Sequence, residues 1–149
     1  MRTIEHWIDG RASPGTTDRT APVFDPATGE QRSEVLLASV ADVETAVNAA
    51  RGAFPEWAQT SLSKRTKILF AFRELVNARA AQIAELITDE HGKVLADALG
   101  EVQRGLEVVE FACGIPSLLK GDFSDQVSAD VDTYSFREPL GVVAGITPF

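Results

Sequence analysis

The sequence predicts an α/β fold, and three observations carry that reading. Short strand-like runs punctuated by turn residues fill the opening stretch, amphipathic helical patterns fill the middle, and the closing residues 140–146 are apolar on both faces. A run of the last kind belongs to a strand covered on both sides, as in a parallel sheet under helices. The 149 residues suffice for one domain of ordinary size, and 44% hydrophobic with 24% charged residues is a globular composition.

The elements follow in order. In HWIDG, Trp7 and Ile8 precede Asp9-Gly10, a two-residue hairpin signal. Val23 and Phe24 precede the turn Asp25-Pro26-Ala27-Thr28-Gly29, with Val35 to Leu37 as the returning strand. Asp25 can accept backbone N–H groups, Pro26 presets φ, and Gly29 permits positive φ. Ser39 with Asp42 three residues on forms a capping box, and Val43, Val47, Ala50 and Phe54 then share one helical face, with Pro55 near the end. A second helix starts near Ser61 to Ser63 with Ile68, Leu69, Phe72, Leu75 and Val76 as its stripe; the pattern resumes at Ile83, Leu86 and Ile87 and stops at His91-Gly92. A third runs from about Ala96 to Cys113, with Leu99, Val102, Leu106, Val109 and Cys113 as one seam, ended by Gly114 and Pro116. Residues 131–137, VDTYSFR, alternate as a half-exposed antiparallel strand, Glu138-Pro139 breaks it, and residues 140–146 form the final strand. A parallel neighbour for that last strand needs a crossover of a dozen or more residues. The sequence therefore reads as the N-terminal piece of a longer protein.

Composition excludes several classes. A formal net charge of −8 disfavours nucleic acid and anionic membrane surfaces as partners. No apolar run reaches the length of a membrane span, and MRTIEHWIDG lacks the apolar centre of a secretory signal. The single cysteine, Cys113, forms no internal disulfide and fits a reducing cytoplasm. His6, His91 and Cys113 have no metal-ligand spacing, so no metal site is expected.

Taken in order, WIDG, FDPATGE, VADVETAVNAARGAFPEW, SKRTKILFAF, DEHGKVLADALGEV and PLGVVAGITPF resemble the aldehyde dehydrogenase superfamily over the whole chain. Within it, DALGEVQRGLEVVEFACGIPSLLKG and FREPLGVVAGITPF are similar to the CoA-acylating methylmalonate-semialdehyde dehydrogenases. The resemblance implies an N-terminal part of that fold: strands, three long helices, an oligomerisation strand region at about residues 125–138, and the first strand of the NAD-binding parallel sheet. It implies NAD and coenzyme A as cofactors, a small-molecule aldehyde as substrate and a homotetramer. The whole of 1–149 would be the N-terminal portion of the NAD-binding domain, with the catalytic domain, its cysteine and its glutamate base absent and no catalytic residue in this chain. Ile146, Thr147, Pro148 and Phe149 would lie beside the cofactor, at the carboxyl end of the strand.

Arg104 stands between Gly100 and Gly105. On the residues alone it is a solvated arginine pairing with Glu101 or Glu107. The resemblance places its helix along the aldehyde tunnel, where a guanidinium can hold a semialdehyde's carboxylate bidentately. Cys113 reads as a packing residue at the end of an apolar seam rather than a nucleophile. Two other functions stay open: an aldehyde dehydrogenase of the same fold that uses water as acyl acceptor, and a non-catalytic module that pairs through the VDTYSFR strand.

Overall fold

The computed structural model describes residues 2–147. Its chain begins with β1 (Arg2–Ile4), β2 (His6–Ile8), β3 (Arg11–Ser13), β4 (Thr20–Phe24) and β5 (Gln31–Leu36). The predicted hairpin is β2–β3. Asp9 and Gly10 both take positive φ, 54° and 73°, which gives a type I′ turn whose twist matches the strands. The second predicted turn joins β4 to β5. Asp25 Oδ1 accepts from the N–H of Ala27 at 2.8 Å and of Thr28 at 3.2 Å, and the Gly29 N–H donates to the Asp25 carbonyl at 2.8 Å. β1 adds to the far edge of β5 in parallel, with Arg2 opposite Ser33, so the sheet order is β1-β5-β4. That pairing was not predicted, because three residues carry no period to read.

Helix α1 (Val40–Gln59) starts on the predicted capping box: the Asp42 N–H donates to Ser39 Oγ at 3.1 Å, and the Ser39 N–H donates to Asp42 Oδ2 at 2.8 Å. Pro55 lies near its end, as predicted, and the helix closes one turn later with the Thr60 hydroxyl donating to the Glu56 carbonyl at 2.9 Å. Its rotation departs from prediction. Of the predicted face, Val43 and Val47 are exposed, Phe54 is half-buried and Ala50 faces the β2–β3 hairpin; Asp42 is buried, and Ala46 and Ala49 face the hairpin with Ala50. The cap is tied to the segment after β3 through the Thr16 hydroxyl, 2.8 Å from Ser39 Oγ, and Asp42 is buried there.

The predicted second helix is two, α2 (Leu62–Ala78) and α3 (Ala80–His91), which meet at Arg79 with φ −111° and ψ 14°. There are thus four helices of twelve residues or more among the described residues where three were predicted. Neither glycine nor proline marks the break. Ser61 caps α2 through its hydroxyl, and Gly92 ends α3 in the left-handed conformation with φ +83°. Helix α4 (Leu95–Ala112) packs on α3 and α2, and a one-turn α5 (Ile115–Leu118) follows. Ala84 and Ala98 are fully buried where α3 meets α4, with Val102 beside them and Val76, Ala80, Ile83 and Ile87 around them. Two alanines let the helix backbones approach closely.

β6 (Phe123–Ser128) and β7 (Val131–Tyr134) form an antiparallel ribbon in which every residue is exposed. The strand read over residues 131–137 is shorter than predicted, and its partner β6 was not predicted. The strand expected over residues 140–146 does not form. These residues are irregular, with Leu140, Val143 and Ile146 93%, 73% and 100% exposed. A strand exists through its ladder, and no strand among the described residues pairs with this one.

Candidate functional site

The candidate site is the outer face of α4. Its inner face is fixed by Ala98, Val102 and Leu106, all buried, at helical spacing four. Leu99, assigned to the seam from sequence, is instead 41% exposed, and Ala98 takes its place. At 100° per residue, Arg104 lies about 200° from both Val102 and Leu106, which puts it on the exposed face. Gly100, one turn earlier, leaves a bare patch of backbone, and the Arg104 Nη1 lies 3.6 Å from where a Cβ at Gly100 would stand. The side chain therefore runs back toward the helix N-terminus, as long helical side chains do.

Neither of its two predicted partners forms an ion pair with it. Lys93, on the link between α3 and α4, donates to Glu101 Oε1 at 2.5 Å, and Gln103 Nε2 donates to Glu107 Oε1 at 3.5 Å. Among the described residues Arg104 has no ion pair within 4 Å. The Lys93 ammonium holds the Glu101 carboxyl below the ordinary carboxylate range; partial burial opposes it, and the more distant charges of Arg104 and His91 assist. Lys93 escaped the sequence reading because it sits eight residues from Glu101 across the α3–α4 break, outside any helical spacing.

The other candidate residues stand apart. Ile146 and Thr147 lie in the exposed irregular segment, and no hydrogen bond or ion pair joins them to Arg104 among the described residues. Pro148 and Phe149 lie outside the described residues. Cys113 is buried as the C-cap of α4, bordering a groove with Phe70, Arg73, Glu74 and Glu110. Arg73 pairs with Glu110 at 2.7 Å and with Glu74 at 2.9 Å, so both carboxylates of that groove are occupied and no histidine lines it. Nothing there is placed to take a thiol proton. No group of three or more His, Cys, Asp or Glu side chains among the described residues is arranged to hold a metal, and no helix is long and apolar enough to cross a membrane.

Residues 13–149 match the aldehyde dehydrogenase family. The chain belongs to the aldehyde dehydrogenase family. This aldehyde dehydrogenase chain is 46% identical over 149 residues to the malonate-semialdehyde dehydrogenase of Pseudomonas aeruginosa, covering all of this chain and 30% of that protein. It is 44% identical over 147 residues to the mitochondrial acylating methylmalonate-semialdehyde/malonate-semialdehyde dehydrogenase of Rattus norvegicus, covering 99% of this chain and 28% of the rat protein. A crystal structure from Sinorhizobium meliloti 1021, complexed with NAD and with methylmalonate-semialdehyde dehydrogenase as its proposed activity, superposes with TM-score 0.90 at 42% identity; the match covers 95% of this chain and 29% of that one. The chain thus spans about 30% of the length of the curated relatives it matches, and its α/β architecture is that of aldehyde dehydrogenase structures.

Proposed function

We propose that this chain is the N-terminal part of an NAD-dependent, CoA-acylating methylmalonate- or malonate-semialdehyde dehydrogenase, in which Arg104 binds the carboxylate of the substrate. The observation that carries the reading is the exposed Arg104 guanidinium, which lies over the bare backbone at Gly100 and has no ion pair among the described residues, with Glu101 held by Lys93. An aldehyde bearing a carboxylate supplies the two acceptor oxygens that a guanidinium fork matches. The relatives in P. aeruginosa and rat act on such semialdehydes by name, and the rat enzyme is named acylating.

The remaining residues fit the same reading. The backbone groups of residues 140–147 have no partner among the described residues, so they are available to neighbouring strands and to a ligand at their carboxyl end. We place Ile146, Thr147, Pro148 and Phe149 beside NAD. Thr147 precedes a proline, which favours an extended conformation. Bound NAD would supply the hydride acceptor for oxidation of the aldehyde; this chain's part is to position the substrate and wall the site. The product is an acyl-CoA, released after decarboxylation. The nucleophile is not in this chain, since Cys113 is a packing residue. The exposed β6–β7 ribbon is the proposed contact of a cytoplasmic homotetramer.

Arg104→Ala in the full-length enzyme tests the assignment. It should raise KM for malonate-type semialdehydes about ten- to a hundred-fold, the worth of a charged hydrogen bond, and leave propanal nearly unaffected. An equal loss on both aldehydes would exclude Arg104 as the carboxylate ligand.

A further inference from the structure

We propose that Lys93 is a positioning residue for Arg104: by holding Glu101, it keeps that carboxylate from closing on the Arg104 guanidinium, which stays open for the substrate. The inference rests on the reading of Arg104 given above. It starts from helix geometry. Glu101 and Arg104 stand three residues apart on α4, the spacing at which opposite charges meet on a helix surface. An undisturbed Glu101 is the natural partner of Arg104, yet the two form no ion pair within 4 Å.

Glu101 Oε1 accepts from Lys93 Nζ at 2.5 Å, and the Lys93 side chain is only 15% exposed. A largely covered ammonium has little water to return to, so it keeps its carboxylate. Lys93 is delivered there by the α3–α4 link: Gly92 turns the chain at φ +83°, and α4 begins two residues after Lys93. On the other side, Glu107 lies 3.5 Å from Gln103 Nε2, at the limit of a hydrogen bond, and forms no ion pair with Arg104 within 4 Å. Gly100 leaves the backbone flat beneath the guanidinium. Lys93 thus keeps Arg104 without an ion pair among the described residues, on a helix that carries acids on both sides of it.

Loss of Lys93 frees Glu101 to do two things. It can pair with Arg104 at the exposed helix surface, and its charge then opposes an incoming carboxylate. Exposed pairs are weak, so Lys93→Met in the full-length enzyme should raise KM for a malonate-type semialdehyde about five-fold. kcat and the KM for propanal should not change, whereas a merely structural lysine would alter both substrates alike. Lys93→Arg should keep the wild-type KM. The decisive variant is Lys93→Met with Glu101→Gln, which removes the released competitor and should restore the semialdehyde KM; Glu101→Gln alone should leave it unchanged. If Lys93→Met does not fold, Lys93→Ala, which removes both the donor and the charge from Glu101, replaces it in the same comparison. A double variant as impaired as the single, or an equal loss on propanal, overturns the proposal. Arg104→Ala separates the two readings. If it discriminates between the aldehydes while the Lys93 variants do not, the positioning role alone is wrong; if it fails to discriminate, both fall.

Discussion

Individual side chains in this chain are set by short-range chemistry, and the start of α1 shows it. Asp42 Oδ2 accepts from both the N–H and the hydroxyl of Ser39, and the Thr16 hydroxyl shares Ser39 Oγ at 2.8 Å. The Ser39 backbone bond and then its hydroxyl hold the Asp42 carboxyl below its ordinary range, against the opposing effect of burial, with smaller help from Thr16 and His6. A carboxyl with a depressed folded value stabilises above its unfolded value, near 4, and that stabilisation is lost as pH falls through the lower folded value. Melting of the full-length protein at a series of acid pH values should therefore show a fall that Asp42→Asn flattens, and Ser39→Ala should cost about 1 kcal/mol at neutral pH. Cys113→Ala should leave turnover and acyl-enzyme formation intact, with loss of stability alone; loss of acyl-enzyme with the fold preserved would make Cys113 the nucleophile. The capping box was legible because donor and acceptor lie three residues apart in sequence. The surroundings of Arg104 were legible only in part, since the lysine that occupies Glu101 arrives from another element.

Among elements, the same division holds. The Asp9-Gly10 hairpin, the Asp25 turn, the start of α2 at Ser61 and the stop of α3 at Gly92 are each written in a few adjacent residues, and each stands where the sequence puts it. What was misread depended on distant contacts: the rotation of α1, the break at Arg79, the β6 partner of β7 and the unformed strand at residues 140–146. Gly92 couples the two kinds of information. It needs positive φ to end α3, and a Cβ there would also stand 3.1 Å from Cβ and Cγ of Pro26 in the β4–β5 turn. Gly92→Ala should then cost more than about 1 kcal/mol, through strain and contact together. Chemical denaturation of the full-length protein checks this; a neutral substitution would mean that the α3 end relaxes without moving Pro26.

For the molecule as a whole, surface area decides the behaviour of these 149 residues by themselves. A compact monomer of this mass exposes about 7,400 Å², whereas this chain exposes 11389 Å². The excess is apolar in large part: Phe72 and Leu75 on α2, Phe111 on α4, Phe123 and Tyr134 on the ribbon, and Leu140 and Ile146 beyond it are half-exposed or more. Such surface and unpaired backbone favour association. The chain expressed alone should self-associate and bind no NAD at millimolar concentration, and cutting it before Leu140 should improve its solubility; a monodisperse monomer by light scattering that also binds NAD by calorimetry would contradict both. The parallel pairing of β1 with β5 has a consequence for synthesis. Arg2 leaves the ribosome ahead of its partner Ser33, which follows after thirty further residues. At roughly 5–20 residues per second, β1 waits on the order of seconds without a neighbour, while the β4–β5 hairpin closes within about 10 microseconds of its own completion. The first-made strand of this sheet is therefore the last to join it, and it docks onto a hairpin already made.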